Sequence, residues 1–236
     1  MGKRPPGAGR GMSTRLRTAE GRSTASQRWL TRQLNDPYVR AAKERGFRSR
    51  AAFKLLEMDE RLHLLKPGMR VVDLGAAPGG WTQVAVQAVG PRGQVVAIDI
   101  LPMDPVPGAT VLQGDFQEQE AEDRTIAAMG GKADLVLSDM APNTTGHQAT
   151  DHLRIMALAE IALDFATRVL APGGAFVAKV LQGGTEAAML AALKRDFAGV
   201  RHVKPPASRK DSAEMYVVAT GFRGASTPLA PQAPRD

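Results

Sequence analysis

The chain has no cysteine, so disulfides and thiolate metal sites are excluded. Aromatic residues make up only 5% of its 236 residues. Four histidines, at 63, 147, 152 and 202, are scattered. Only His147 and His152 come near a ligand spacing, and five residues across a turn read as surface. No metal site is expected. No apolar run reaches the length of a transmembrane helix. No signal-peptide hydrophobic region follows the N-terminus. The expectation is a soluble, cytoplasmic, monomeric protein with no membrane partner.

Acidic residues are scarce at one end. Residues 1–50 carry 13 Lys/Arg against 3 Asp/Glu, whereas the whole chain has a net charge of only +7. The basic character is thus an N-terminal property, and it points to a polyanionic partner met by that segment. Residues 1–27, rich in Gly, Arg, Pro, Ser and Thr, are expected to form a basic disordered arm. Residues 28–221 form the folded domain, and 222–236 a disordered Pro/Ala-rich tail.

The folded part is organised around Val71–Trp81, VVDLGAAPGGW. A short apolar strand runs into a glycine turn, and a helix-length apolar run follows. That is the cofactor corner of an α/β sheet with helices on both faces. The glycines are spaced GxxPGG rather than GxGxxG, and no Lys-Ser/Thr follows them, so a phosphate-cradling loop is excluded. A turn without a cationic phosphate grip suits a cofactor without a diphosphate, S-adenosylmethionine (SAM). Gly75, Gly79, Gly80 and Trp81 form its candidate cradle. Asp73 also falls near this turn. Asp99, 20 residues beyond Gly79, ends the second strand and suits ribose hydroxyls. Asp115 follows the third strand and suits an adenine amino group.

Asp36-Pro37 reads as a helix start, and Gly46 as its end. Ser49 is expected to cap a second helix over 50–65, with an apolar face of Phe53, Leu56 and Leu62 and with Leu55 at its edge. Lys54 lies near the N-terminus of that helix, where the dipole disfavours a cation. DLVLS at 134–138 is a fourth strand leading into Asp139. AFVAKVL at 175–181 is a fifth, apolar except for Lys179. A charged lysine is costly to bury without a partner or a purpose. Arg201–Lys210, RHVKPPASRK, is a second basic patch. The last strand, from Met215, follows Glu214. If it runs antiparallel, Glu214 joins Asp139 and Lys179 at the carboxyl edge of the sheet, and Lys54 reaches that edge from the N-terminal helices.

Lys54, GAAPGGW, Asp139, Lys179 and Glu214 occur in the order found in the FtsJ-type 2′-O-ribose RNA methyltransferases. SRAAFKLLE, DLVLSDMAPN and SRKDSAEMYVVA add to the resemblance, which covers about residues 30–221. It implies a Rossmann-like, class I SAM-dependent fold. Its sheet is seven-stranded and mostly parallel with an antiparallel last strand. It also implies a Lys54-Asp139-Lys179 triad assisted by Glu214, Asp139 also lining the cofactor site, and no required metal. Within the family the likeness is to bacterial enzymes acting on a uridine ribose in the A-loop of 23S rRNA, in the large ribosomal subunit or an assembly intermediate. Another RNA 2′-O-methyltransferase, including a mitochondrial one, is the alternative, and a base N-methyltransferase the more distant one. The latter lacks an aromatic residue after the fourth strand, and it leaves two lysines unexplained.

The chemistry is consistent with this order. A ribose hydroxyl needs a base as it attacks. Lysine at its reference pKa of about 10.4 is costly to use near neutrality, by about 4 kcal/mol. Burial and a neighbouring cation lower that cost, while Asp139 opposes it. Lys179 is the expected base, with Lys54 and Asp139 orienting the hydroxyl and Glu214 bonding the ribose or a lysine.

Overall fold

The computed structural model describes residues 31, 34–142, 145–183, 187–209 and 211–224. The basic arm at 1–27 and residues 225–236 of the tail lie outside these.

Among the described residues seven strands form one sheet. In chain order they are β1 (Arg70–Leu74), β2 (Gln94–Asp99), β3 (Ala109–Gln113), β4 (Ala133–Ser138), β5 (Leu170–Leu181), β6 (Phe197–Val203) and β7 (Glu214–Phe222). Their order across the sheet is β3-β2-β1-β4-β5-β7-β6. β3, β2, β1, β4 and β5 pair in parallel, and β7 inserts antiparallel between β5 and β6. Among the described residues six helices flank the sheet: α1 (Pro37–Glu44), α2 (Ala52–Leu62), α3 (Gly80–Val89), α4 (Gln119–Met129), α5 (Gln148–Val169) and α6 (Ala187–Asp196). This is the Rossmann-like arrangement that the resemblance implies. β4 and β1 read as continuous apolar runs because both their faces are covered.

Two cores result, one on each face. One holds Phe165, Phe176, Phe197 and Met156 beneath α4, α5 and α6. The other holds Phe53, Leu55, Met58 and Trp81 beneath α1, α2 and α3, and it also takes in Tyr216 from β7. Among the described residues no helix is long and apolar enough to cross a membrane.

Asp36 caps α1 through the Tyr38 amide at 2.9 Å, with Pro37 in the first turn, as the sequence predicts. The start of α2 differs from the expectation. Ser49 makes no cap; its first turn is wound through i→i+3 bonds, including Ala52 N–H to Ser49 O at 3.3 Å. Ser49 Oγ instead presses on Gly80, where a Cβ would lie only 2.4 Å away. Leu55 is not an edge residue but fully buried, while Leu56 and Leu62 are half-buried. α2 is sandwiched between α1 and α3, so its buried stripe runs Ala52, Leu55, Met58 at i, i+3 spacing. The helix ends at Leu62 because His63 turns left-handed.

β5 begins at Leu170, five residues ahead of the expected start, and shifts register against β4 between Ala133 and Leu135. The Pro172-Gly173-Gly174 stretch is thus absorbed as a bulge rather than a stop.

Candidate active site

The carboxyl ends of β1, β2, β4 and β5 and the start of β7 meet at one edge, as the antiparallel β7 requires. Leu181 pairs with Glu214, and Lys179 with Tyr216. Four predicted residues and one unpredicted residue converge there. Lys179 Nζ lies 2.8 Å from Asp139 Oδ1 and donates to the Asp139 carbonyl at 2.9 Å. Lys54 Nζ reaches across from α2 to Glu214 at 2.7 Å. Glu214 also stands 4.0 Å from Lys179 Nζ. The unpredicted member is Tyr216, fully buried at 0% exposure. Its hydroxyl donates to Asp139 Oδ1 at 2.7 Å and accepts from Lys54 Nζ at 3.2 Å. The donors are consistent from end to end, since Lys54 donates to Tyr216 and both Tyr216 and Lys179 donate to Asp139.

The electrostatics keep this arrangement fixed. Burial disfavours the Asp139 carboxylate, but the lysines at 179 and 54 outweigh it and hold its pKa below the ordinary value. Burial, reinforced by the Asp139 and Glu214 charges, pushes the Tyr216 phenol well above its usual range, so it stays a donor. Two ammoniums face two carboxylates, so the buried charge is balanced.

Two cavities adjoin the cluster. The larger, about 760 Å³, is lined by Gly75, Asp99, Asp115, Asp139, Met140 and Lys179, among others. The smaller, about 320 Å³, is lined by Arg50, Lys54, Arg209, Asp211, Ser212 and Glu214. Lys179 and Asp139 therefore front one cavity, and Lys54 and Glu214 the other. The cluster is the wall between them.

Part of the basic patch at 201–210 supports that wall rather than facing solvent. Arg201 and His202 are exposed, but Ala207 and Ser208 are buried. Ser208 Oγ donates to Glu214 at 2.9 Å, and Lys204 Nζ is tied to the Ser212 carbonyl at 2.6 Å. Lys210 lies outside the described residues.

The larger cavity has the donor and acceptor balance that SAM needs. Its walls carry three carboxylates, Asp99, Asp115 and Asp139, together with the cationic side chains of Arg154 and Lys179, and its volume is that of a small-molecule site. Asp115 is held by the Gln117 amide at 3.0 Å, and Asp99 by the Ala77 and Leu101 amides, both at 2.8 Å. Both acids thus shape their loops as well as line the cavity. Ile100 and Leu101, about 60% exposed, add apolar surface to its lining. Gly75 leaves the cradle open. It sits at φ +73°, and a Cβ there would come within 2.7 Å of Met140. Gly75→Ala should lose roughly 1–2 kcal/mol to the left-handed backbone and about 1–3 kcal/mol to overpacking. A lowered Tm together with weakened SAM binding is expected; an unchanged Tm would contradict the close approach.

The structure does not bring Gly79, Gly80 or Trp81 into the lining of this cavity. Gly79 faces Arg48, Met103 and Val106, and Gly80 faces Ser49. The Trp81 ring is buried, with its centroid 5.4 Å from that of Tyr216 and its Nε1 donating to the Ala51 carbonyl at 2.8 Å. What these three can offer a ligand is backbone at the start of α3.

Asp73 lies beneath the turn rather than in the cavity, wholly buried. Thr82 Oγ1 donates to its Oδ2 at 2.7 Å, while Oδ1 has no partner. Burial raises its pKa to about 7. Folding therefore takes up a proton between about pH 4, the unfolded value, and about pH 7. Stability from this group falls as pH rises through that window, by about 4 kcal/mol at most. Urea titrations from pH 4 to 8 should show Asp73→Asn gaining on the wild type with rising pH. Parallel curves would show that Asp73 does not titrate there.

A sheet of this order, with a glycine turn after β1 and acids ending β2 and following β3, defines a Rossmann-like methyltransferase. The FtsJ-like methyltransferase family matches residues 47–222, and the chain belongs to it. It is 62% identical, over 95% of its length and 94% of the other's, to a protein of Paramagnetospirillum magneticum named ribosomal RNA large subunit methyltransferase E. A protein of the same name from Granulibacter bethesdensis is 64% identical over 93% of this chain and 94% of its own. The fold is similar to a crystal structure of a ribosomal RNA methyltransferase from Plasmodium falciparum, with a TM-score of 0.67 and 29% identity. That match covers 76% of this chain and 100% of the other. The family implies SAM as methyl donor. Among the described residues no group of three or more His, Asp or Glu could hold a metal ion.

Proposed function

We propose that the chain methylates the 2′-hydroxyl of a uridine ribose in the A-loop of 23S rRNA, using SAM, with Lys179 as general base. The observation that carries this is the shared wall: Lys179 and Asp139 border the cofactor cavity, and Lys54 and Glu214 border the cleft behind it. SAM, when bound, supplies a methyl group on a positively charged sulfur. Asp99 and Asp115 would hold its ribose and adenine. The chain's own residues do the rest. The ribose enters from the smaller cleft, whose lining carries the positive charge of Arg209 and of Arg50, the latter tied to Asp36 and to the Ala207 carbonyl. Lys54 and Glu214 orient the sugar. Lys179, once it has released its own proton to solvent, takes the hydroxyl proton as the oxygen attacks. Asp139 fixes Lys179 through two contacts and stabilises the ammonium that forms. Positioning of hydroxyl and amine supplies much of the acceleration.

The ribosomal substrate is supported by the names of the relatives and by the basic segment at 28–50. Free rRNA, the large subunit and an assembly intermediate are the candidate forms of the substrate, in a cytoplasmic setting. RNA binding through phosphates should weaken steeply with salt. Base methylation fits less well, because Met140, Ala141 and Pro142 line the cavity after β4 and give a flipped base nothing to stack on.

Labelled SAM, the purified chain and large subunits lacking the modification form the test. Digestion to nucleosides should put the label in 2′-O-methyluridine. Label on a base would overturn the proposal.

A further inference from the structure

Arg48 lies outside the cavity, yet it ties together two loops that line it. Its Nη1 donates to the Pro78 carbonyl at 3.2 Å and to the Asp104 carbonyl at 2.6 Å. Its Nη2 donates to the Pro105 carbonyl at 2.6 Å. Pro78 belongs to the glycine turn, next to cavity-lining Ala77. Asp104 and Pro105 belong to the β2–β3 loop, whose Ile100 and Leu101 line the same cavity. Gly79 makes room for the guanidinium, since a Cβ there would lie 3.1 Å from Nη1.

The segment that carries Arg48 is itself anchored. The Arg48 amide donates to Gln83 Oε1 at 2.8 Å, and Gln83 Nε2 donates to the Gly46 carbonyl at 3.0 Å. Gln83 is on α3, the helix that follows the glycine turn. Arg48 thus spans from a fixed base to two loops that are not neighbours in sequence. Two adjacent nitrogens of a rigid fork reach three carbonyls, a geometry that a single ammonium cannot reproduce.

We propose that Arg48 is a positioning residue for the cofactor: it holds the glycine turn and the β2–β3 loop at the separation that SAM binding requires. The inference rests on the cofactor reading given above. Arg48 touches neither cavity wall nor reacting atoms, so its effect falls on cofactor affinity and not on the chemical step. A loss of preorganisation worth about one hydrogen bond of ordinary strength corresponds to about a tenfold change in affinity.

The test is calorimetric titration of S-adenosylhomocysteine into the full chain, for wild type, Arg48→Lys and Arg48→Met. Methyl-transfer kinetics accompany it. Phe222→Leu serves as a control, destabilising the Phe197–Phe222 pair away from the cavity. The expected result is about tenfold weaker binding for Arg48→Met and an intermediate value for Arg48→Lys. KM for SAM should rise in step, with kcat and KM for RNA within about threefold. Hydrogen exchange should quicken over residues 100–107. Phe222→Leu should bind as wild type does. Wild-type affinity in both Arg48 variants, with only a lowered Tm, would reduce Arg48 to a structural role and overturn the proposal. A wild-type chain that binds no S-adenosylhomocysteine would overturn the cofactor reading itself, and this inference with it.

Discussion

Lys179→Met should lower the rate of methyl transfer by about 10²- to 10⁴-fold, the span of general acid–base catalysis. Methionine keeps the length and apolar packing of the lysine stem, so the lesion is chemical. SAM affinity should stay within about threefold, because Asp99 and Asp115 are untouched and remain bonded to their own loops. The variant will also be less stable. It leaves Asp139, formerly 2.8 Å from Lys179, with Tyr216 as its remaining hydrogen-bonded side chain. Breaking a buried pair costs about 3–5 kcal/mol. The Lys179 side chain is about 11% exposed, so the lower part of that range is expected. Equilibrium titration of the cofactor beside single-turnover transfer separates the two effects. A rate loss matched by a loss of SAM affinity would assign Lys179 to binding, not to proton transfer.

Asp139→Asn should be comparably severe and show a different signature. The amide can still accept from Tyr216, but it removes the charge that stabilises Lys179. Transfer should fall by at least about 10²-fold. Stability near neutral pH should fall by about 3 kcal/mol, because two cations would remain beside a single carboxylate. The sign with pH is fixed by the lowered pKa of Asp139 in the folded chain. Its contribution is fully present above the unfolded value near 4 and disappears as pH falls through the folded one. Wild type and Asp139→Asn should therefore keep a constant gap above about pH 4 that narrows as pH falls below it. Denaturation at pH 3 and at pH 7 reads this directly. A constant gap across that interval would mean that the ion pair does not carry the stability.

The site was legible in the sequence to the extent that its residues violated local rules. Lys179 interrupts an apolar strand, Lys54 sits at the wrong end of a helix for its charge, and the GxxPGG turn departs from phosphate-binding spacing. Each departure needed a compensating partner, and the fold supplies it. Tyr216 went unnoticed because an aromatic residue in an apolar strand violates nothing. Its signal was the period of the strand, since Glu214 and Tyr216 alternate onto one face. Ser49 and Leu55 depart from the expectation, and Ser208 turns inward from the basic stretch, for a shared reason. Their surroundings come from elements remote in sequence: α3 for Ser49, both flanking layers for Leu55 and β7 for Ser208. Arg48 was invisible for the same reason, because its acceptors are backbone carbonyls 30 to 57 residues away.

The most direct measurement is single-turnover methyl transfer at saturating SAM onto unmodified large subunits, with the product mapped by 2′-O-methyl-sensitive primer extension. Wild type and Lys179→Met would be compared on the same RNA, with cofactor binding confirmed in each. A single A-loop stop that forms with wild type and is slowed by at least about 10²-fold in the variant is the predicted result. An equal stop in both would contradict Lys179 as the base. A wild-type chain that binds SAM and leaves every ribose unmodified would contradict the reaction.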